Sequence, residues 1–108
     1  MYLPPTLEGV RNHAAILREV AAVRRASAAR HREHQQETFA RQEEALAEDG
    51  ERSARRLEQV TAQDLPWIAE QAARLLTDGD DPAEDPAWQL YLEDLDRRAM
   101  LAEKEERA

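Results

Sequence analysis

The large apolar side chains of this sequence are confined to three segments, and a long polar stretch separates the first segment from the other two. The segments are 7–23, 67–76 and 88–101, and in each of them apolar residues recur at spacings of three and four. This spacing predicts amphipathic helices whose apolar faces pack on one another. We therefore expect a three-helix base from which residues 30–60 project as a narrow helical hairpin.

The composition favours helices over a sheet. Aromatic residues make up 5% of the 108 residues and charged residues 35%, so the side chains that usually build a sheet are scarce. The chain has no cysteine, which excludes disulfides, thiolate metal sites and thiol nucleophiles. The expected fold class is all-α, in a single helical domain spanning residues 1–108.

The first expected element is a long helix over residues 7–48. Thr6 is a suitable N-cap, and the apolar face of the first turns includes Ile16, Val20 and Val23 as expected core residues. Large apolar residues stop after Val23, but the following residues are good helix formers and nothing breaks the helix before Asp49.

Asp49-Gly50 offers two alternatives. Either the chain reverses there and residues 51–63 return along the long helix, or one continuous helix runs through Gly50 at a cost of about 1 kcal/mol relative to Ala. We favour the reversal. It would bring two apolar residues before the turn close to two after it, in a surface suited to self-association: Phe39, Leu46, Leu57 and Val60.

Proline residues mark the starts of the two C-terminal base helices. Pro66 predicts a helix over 65–77, and Pro82 and Pro86, in the acidic segment that follows, are two candidate starts of a helix over 83–102. Residues 103–108 have no apolar face and are predicted to fray.

Four arginines recur every seven residues, and the spacing places them in one stripe along the first helix. They are Arg11, Arg18, Arg25 and Arg32. Such a stripe could bind a partner's phosphates, or it could flank a helical seam and pair with acids on a neighbouring helix. The chain has 23 acidic and 15 basic residues and a net charge of -8, which favours the flanking interpretation.

The C-terminal segment combines acids with bulky apolar residues, a composition typical of segments that dock into a basic groove. The candidate partner-binding residues there are Trp88, Leu90, Tyr91 and Asp94. The alternative is that these apolar residues face the protein's own core, which their helical spacing favours.

Catalytic and metal-binding patterns are weak. His31, His34 and Glu37 fall on successive helical turns, but they lack the spacing of known zinc and di-iron motifs, so we expect neither metal nor cofactor. Ser27 and Ser53, the candidate serine nucleophiles, do not lie in a Gly-x-Ser-x-Gly turn. We therefore predict that the protein is not an enzyme.

These observations favour a cytoplasmic adaptor or scaffold that acts through self-association and charged helical surfaces. The alternative is an acidic regulator or antitoxin-like inhibitor whose acidic, aromatic C-terminal segment binds a basic partner. We expect protein partners, including a second copy of the chain, and neither a membrane nor a nucleic-acid partner.

Overall fold

A computed structural model describes residues 5–107 and shows an all-α fold, confirming the predicted class. Two long antiparallel helices form a hairpin, and two further helices pack at its open end. The helices are α1 (Leu7–Glu33), α2 (Glu37–Glu58), α3 (Leu65–Asp78) and α4 (Pro86–Arg107), with a short 3-10 turn at Pro82–Glu84.

An alanine seam joins α1 to α2. Each helix contributes three alanines spaced seven residues apart, and their exposed fractions lie between 0 and 2%. Alanine side chains are short, so the two helix axes can approach closely along the whole hairpin. The seam consists of Ala14, Ala21 and Ala28 on α1 and Ala40, Ala47 and Ala54 on α2.

The chain reverses at residues 34–36, not at Asp49-Gly50. Gln35 adopts a left-handed backbone conformation with φ of 59°, and the Gln36 amide donates to the His31 carbonyl at 2.8 Å. The predicted long helix 7–48 therefore ends fifteen residues early, at Glu33, and of the predicted return 51–63 only residues 51–58 are helical, as the end of α2. The reversal at Gly50 was the wrong choice between the two alternatives.

Gly50 lies inside α2, on the face that packs against α1. A Cβ built at this position would lie 3.6 Å from the Leu17 carbonyl oxygen and 3.8 Å from the Ala21 Cβ. These are ordinary van der Waals distances, so neither a turn nor a lack of space requires glycine at this position.

Three helix ends carry a cap, and the cap at Thr6 is the predicted one. Thr6 Oγ1 accepts from the Gly9 amide at 3.0 Å at the start of α1. Asp85 Oδ2 accepts from the Trp88 amide at 3.0 Å at the start of α4. At the end of α3, Gly79 adopts φ of 70°, the left-handed cap conformation.

The end of α4 differs from the prediction. The helix continues to Arg107, where a frayed segment 103–108 was expected, and Ala108 lies outside the described residues. Glu, Lys, Ala and Arg have high helix propensity, so this segment can extend the helix without an apolar face.

The base forms where α3 and α4 pack against the open end of the hairpin. Val60, Leu75 and Leu95 are its buried apolar residues. Three aromatic rings line the contact between α3 and α4: Trp67 stacks parallel to Trp88 at 5.9 Å between centroids, and Tyr91 lies 4.9 Å from Trp67.

Candidate functional site

The arginine stripe pairs with acids on α2, as the flanking interpretation predicted. Arg18 donates to both carboxylate oxygens of Glu58, and its Nε–Oε2 distance is 2.7 Å. The two arginines nearer the tip also pair with α2. Arg25 donates twice to Oε1 of Glu51, and Arg32 donates to Glu44 and to Glu37. The glutamates of these pairs are spaced seven residues apart, as the arginines are.

Arg11 has a different partner at the open end of the hairpin. Its guanidinium donates to the Leu57 carbonyl at 2.6 Å and to the Val60 carbonyl at 2.8 Å. A cation at these carbonyls complements the negative end of the α2 dipole. The four arginines of the stripe are therefore engaged within the chain, and their proposed contact with an external partner remains an untested prediction.

The ion pairs between the arginine stripe and the glutamates of α2 form a charge ladder along the hairpin. These pairs lower the pKa of the glutamate carboxyl groups. Hydrogen bonds from Arg18 and Arg25 favour the ionised forms of Glu58 and Glu51 and hold the pKa of each below its usual value. These groups are substantially exposed, so solvent screens the pairs. On this flank three arginines of α1 are thus paired with four glutamates of α2 within the chain.

The rest of the hairpin surface carries the Arg24–Glu43 pair and several exposed apolar side chains. Five large side chains there are 44–64% exposed along the two helices. We call this set the outer strip: Ile16, Val20 and Val23 on α1, and Phe39 and Leu46 on α2. The sequence prediction placed the three α1 residues in the core, and this was wrong because the six seam alanines, not the larger residues, face the other helix.

The four predicted self-association residues do not form one surface. Phe39 and Leu46 are exposed, whereas Val60 is buried and Leu57 is half-buried at the base. Because α2 is continuous, Leu57 lies about 16 Å along the helix from Leu46. The turn expected at Asp49-Gly50 would have brought these residues together, and its absence separates them.

Trp88 and Tyr91, the two aromatic candidates of the C-terminal segment, pack within the base. The Tyr91 hydroxyl donates to Asp64 at 3.2 Å, and Arg98 donates to the same carboxylate oxygen at 2.7 Å. Burial, together with the neighbouring Asp64 charge, raises the pKa of the Tyr91 hydroxyl. For Asp64, burial by itself raises the pKa, but hydrogen bonds from Arg98 and the Thr61 amide outweigh it and the net pKa is lowered.

Two candidates of this segment have other surroundings. Leu90 points to solvent and is 68% exposed. Asp94 pairs within α4, with Arg97 and with Arg98, where the Arg98 Nη2–Oδ2 distance is 2.8 Å. The four predicted partner-binding residues therefore divide into two that pack in the base, one exposed anchor and one intrahelical acid.

The acidic loop carries a second exposed patch. Asp78, Asp80, Asp81 and Glu84 are exposed beside Leu76, which is 69% exposed. A groove of about 310 Å³ opens here between Leu76, Asp80, Pro82 and Trp88. An apolar groove with an acidic rim suits an apolar side chain from a basic partner.

A cavity of about 470 Å³ lies between the open end of the hairpin and the two base helices. Its walls are mostly apolar, and its charged group, Arg56, is held by Asp96 at 2.8 and 2.9 Å. Ser53 and His13 also line it. The size is in the range of small-ligand pockets.

The histidine cluster near the hairpin tip does not form a metal centre. His31 Nδ1 lies 2.8 Å from Gln36 Oε1, and its ring lies 5.6 Å from that of Phe39. Glu37 is engaged by Arg32 and Arg41. Within residues 5–107, His, Asp and Glu side chains nowhere form a group of three able to hold a metal ion.

Sequence analysis did not identify the outer strip as a surface, although a signal was present. The alanine heptads of α1 and α2 are mirror images about residue 34: Ala28 pairs with Ala40, Ala21 with Ala47 and Ala14 with Ala54. This symmetry fixes the turn and assigns the seam to alanine. The larger residues on the neighbouring face of α1 then have no partner within the hairpin.

Comparisons with protein-family models, with curated proteins and with solved structures gave no match to this chain. In the described part of the chain, no helix combines the length and the apolar character that crossing a bilayer requires.

Proposed function

We propose that this protein is a non-enzymatic helical assembly factor, an adaptor or scaffold that acts by self-association through the outer strip. The observation that carries the proposal is the surface that the fold leaves uncovered. The accessible surface is 7873 Å², whereas a compact monomer of this mass exposes about 6100 Å². The surplus of about 1700 Å² exceeds the roughly 800 Å² per partner that a stable interface buries.

The shape of the molecule supports the same conclusion. The radius of gyration is 16.6 Å, against about 13 Å for a compact domain of this length. The hairpin projects from the base, and its outer strip concentrates large apolar side chains on one side. Exposed apolar patches of this kind are typical of protein interaction sites.

Sedimentation equilibrium of the purified chain at micromolar concentration tests the proposal. We expect a mass above the 12.4 kDa of the monomer, together with a helical circular dichroism spectrum. Phe39→Ser and Leu46→Ser should lower the mass, while Leu76→Ser, an exposed apolar residue away from the hairpin, should not. A compact monomer that binds no copy of itself at these concentrations would refute the proposal.

A second candidate function rests on the acidic groove beside Leu76. An acidic regulator would bind a basic partner there by electrostatic attraction and one apolar anchor. Affinity capture in low salt should recover a basic protein, and Leu76→Ser should abolish recovery while Phe39→Ser leaves it unchanged. Recovery that is insensitive to Leu76→Ser would rule out this groove.

A further inference from the structure

One face of α1 within the outer strip has a charge at each end. Glu19 and Arg30 are eleven residues apart, which is three helical turns and leaves only about 20° between their directions. Both are exposed, and neither has an ion-pair partner among residues 5–107. Val23, the most exposed apolar residue of the strip at 64%, lies between them on the same face.

One charge at the edge of this face is neutralised within the chain, and another, Glu33, is exposed one turn beyond Arg30. Arg24, at its edge, pairs with Glu43 on α2 at 3.4 Å. A shallow groove runs along the same side of α1 and is lined by Glu19, Val20, Val23 and Arg30 among others. Between Glu19 and Arg30, which are separated by about 16 Å along the helix, the centre of the face is therefore apolar.

A surface with this arrangement is complementary to itself. When two copies meet antiparallel about a two-fold axis that passes between Val23 and Ala26, midway between Glu19 and Arg30, Glu19 of each copy lies opposite Arg30 of the other. Each dimer then contains two such pairs, and the apolar centres cover one another. A parallel arrangement would instead place like charges together at both ends.

We infer that this face of α1 is a two-fold interface with a second copy of the chain, in which Glu19 and Arg30 pair across the axis and fix an antiparallel orientation. The inference deepens the proposed self-association and rests on it. The molecule as a whole exposes enough surface for such a contact, since the surplus accessible area of each copy is about twice what one side of a standard interface buries.

Charge reversal tests the pairing. Glu19→Arg alone places two arginines opposite each other at both ends, and Arg30→Glu alone does the same with two glutamates. Each single variant should dimerise about tenfold or more weakly than the natural chain, because two attractions become two repulsions. Both residues are exposed, so the variants should keep the helical circular dichroism spectrum of the natural chain.

The decisive sample is an equimolar mixture of the two variants. In a mixed dimer, the arginine introduced at position 19 of one chain faces the glutamate introduced at position 30 of the other. At the opposite end, the unchanged Arg30 of the first chain faces the unchanged Glu19 of the second. Both pairs attract, so mixing should restore a species of twice the 12.4 kDa monomer mass. The double variant Glu19→Arg/Arg30→Glu should also dimerise, because it exchanges the charges without changing their complementarity. Val23→Ser should weaken all of these dimers.

The outcomes separate this inference from the proposed function. If the natural chain self-associates but the charge variants and Val23→Ser do not alter its mass, the α1 interface is wrong and self-association proceeds elsewhere. If the single variants dissociate but their mixture and the double variant stay monomeric, the antiparallel pairing is wrong. A natural chain that is monomeric at all accessible concentrations overturns both proposals.

Discussion

Replacing Gly50 with alanine is expected to stabilise this protein, and the structure gives the magnitude. Glycine inside a helix costs about 1 kcal/mol relative to alanine because the unfolded chain loses more freedom on folding. The new methyl group would lie 3.6 Å from the Leu17 carbonyl oxygen and 3.8 Å from the Ala21 Cβ, ordinary contact distances that require no shift of either helix. We therefore expect the full propensity gain.

For a chain of this length, 1 kcal/mol corresponds to an increase in Tm of about 4 °C, since the unfolding entropy is roughly 2.1 cal/mol/K per residue. The assay is thermal unfolding followed by the helical circular dichroism signal. Natural and variant chains are compared at the same concentration, because self-association makes Tm depend on concentration.

Gly79→Ala is the matched control. Gly79 has φ of 70° at the end of α3, where a side chain is strained whatever the space around it. The left-handed conformation costs a non-glycine residue about 1–2 kcal/mol, so this variant should lose about 4–8 °C of Tm. The same glycine-to-alanine change is thus expected to act in opposite directions at the two positions.

The result that would refute the reasoning is a Gly50→Ala variant that loses Tm to the same degree as Gly79→Ala. Such a loss would mean that Gly50 needs glycine's backbone freedom, as it would in a turn. The reversal would then lie at Asp49-Gly50 and the alanine seam would be wrong.

Three further predictions concern the hairpin. Ala47→Leu should cost about 1–3 kcal/mol because the seam has no room for a larger side chain, while Ala45→Leu, exposed on the same helix, should cost far less; equal costs would contradict the seam. Gln35→Gly should raise the free energy of unfolding by about 1 kcal/mol by relieving the positive φ at the turn, and a lower Tm would place the turn elsewhere. Because the folded pKa of Glu58 lies below its unfolded value, its stabilising contribution is complete above the unfolded pKa and is lost as pH falls through the folded one. The urea midpoint of the natural chain should therefore decrease on acidification below about pH 4.3. The decrease should be smaller in Arg18→Gln. A difference in urea midpoint between the two chains that does not change with pH would argue against the ladder.

Much of the architecture follows from local sequence signals. Thr6 and Pro66 place helix starts through capping chemistry and the restricted φ of proline, and these act within one turn of the chain. The last helix, expected from residue 83, begins at Pro86 because a short 3-10 turn at Pro82–Glu84 precedes it. The heptad spacing of the arginines likewise predicts their flanking position, because seven residues are close to two helical turns. Each of these features depends on neighbours in sequence.

The hairpin turn and the outer strip depend on packing between distant residues. The segment His34-Gln35-Gln36 contains neither glycine nor proline, while Asp49-Gly50 has the composition of a turn, so local chemistry favours the wrong position. What decides is the seam: only a reversal near residue 34 buries all six alanines together and aligns Arg18 and Arg25 with their acids. A few poorly placed turn residues cost less than the loss of that whole interface.

The alanine seam also explains why the hairpin has an uncovered side. Alanine buries little area, so the seam brings the helices close without using the large side chains of α1. The Arg–Glu ladder covers one flank of the hairpin with ion pairs. Val20, Val23 and Leu46 lie outside this ladder and are exposed to solvent. Added salt should distinguish the two flanks: it screens the exposed ladder within each chain and the Glu19–Arg30 pairs between chains, while burial of the apolar centre is little affected. Dimers of the natural chain should therefore weaken only modestly with salt, whereas the Glu19→Arg variant, whose defect is repulsion, should regain affinity as salt increases.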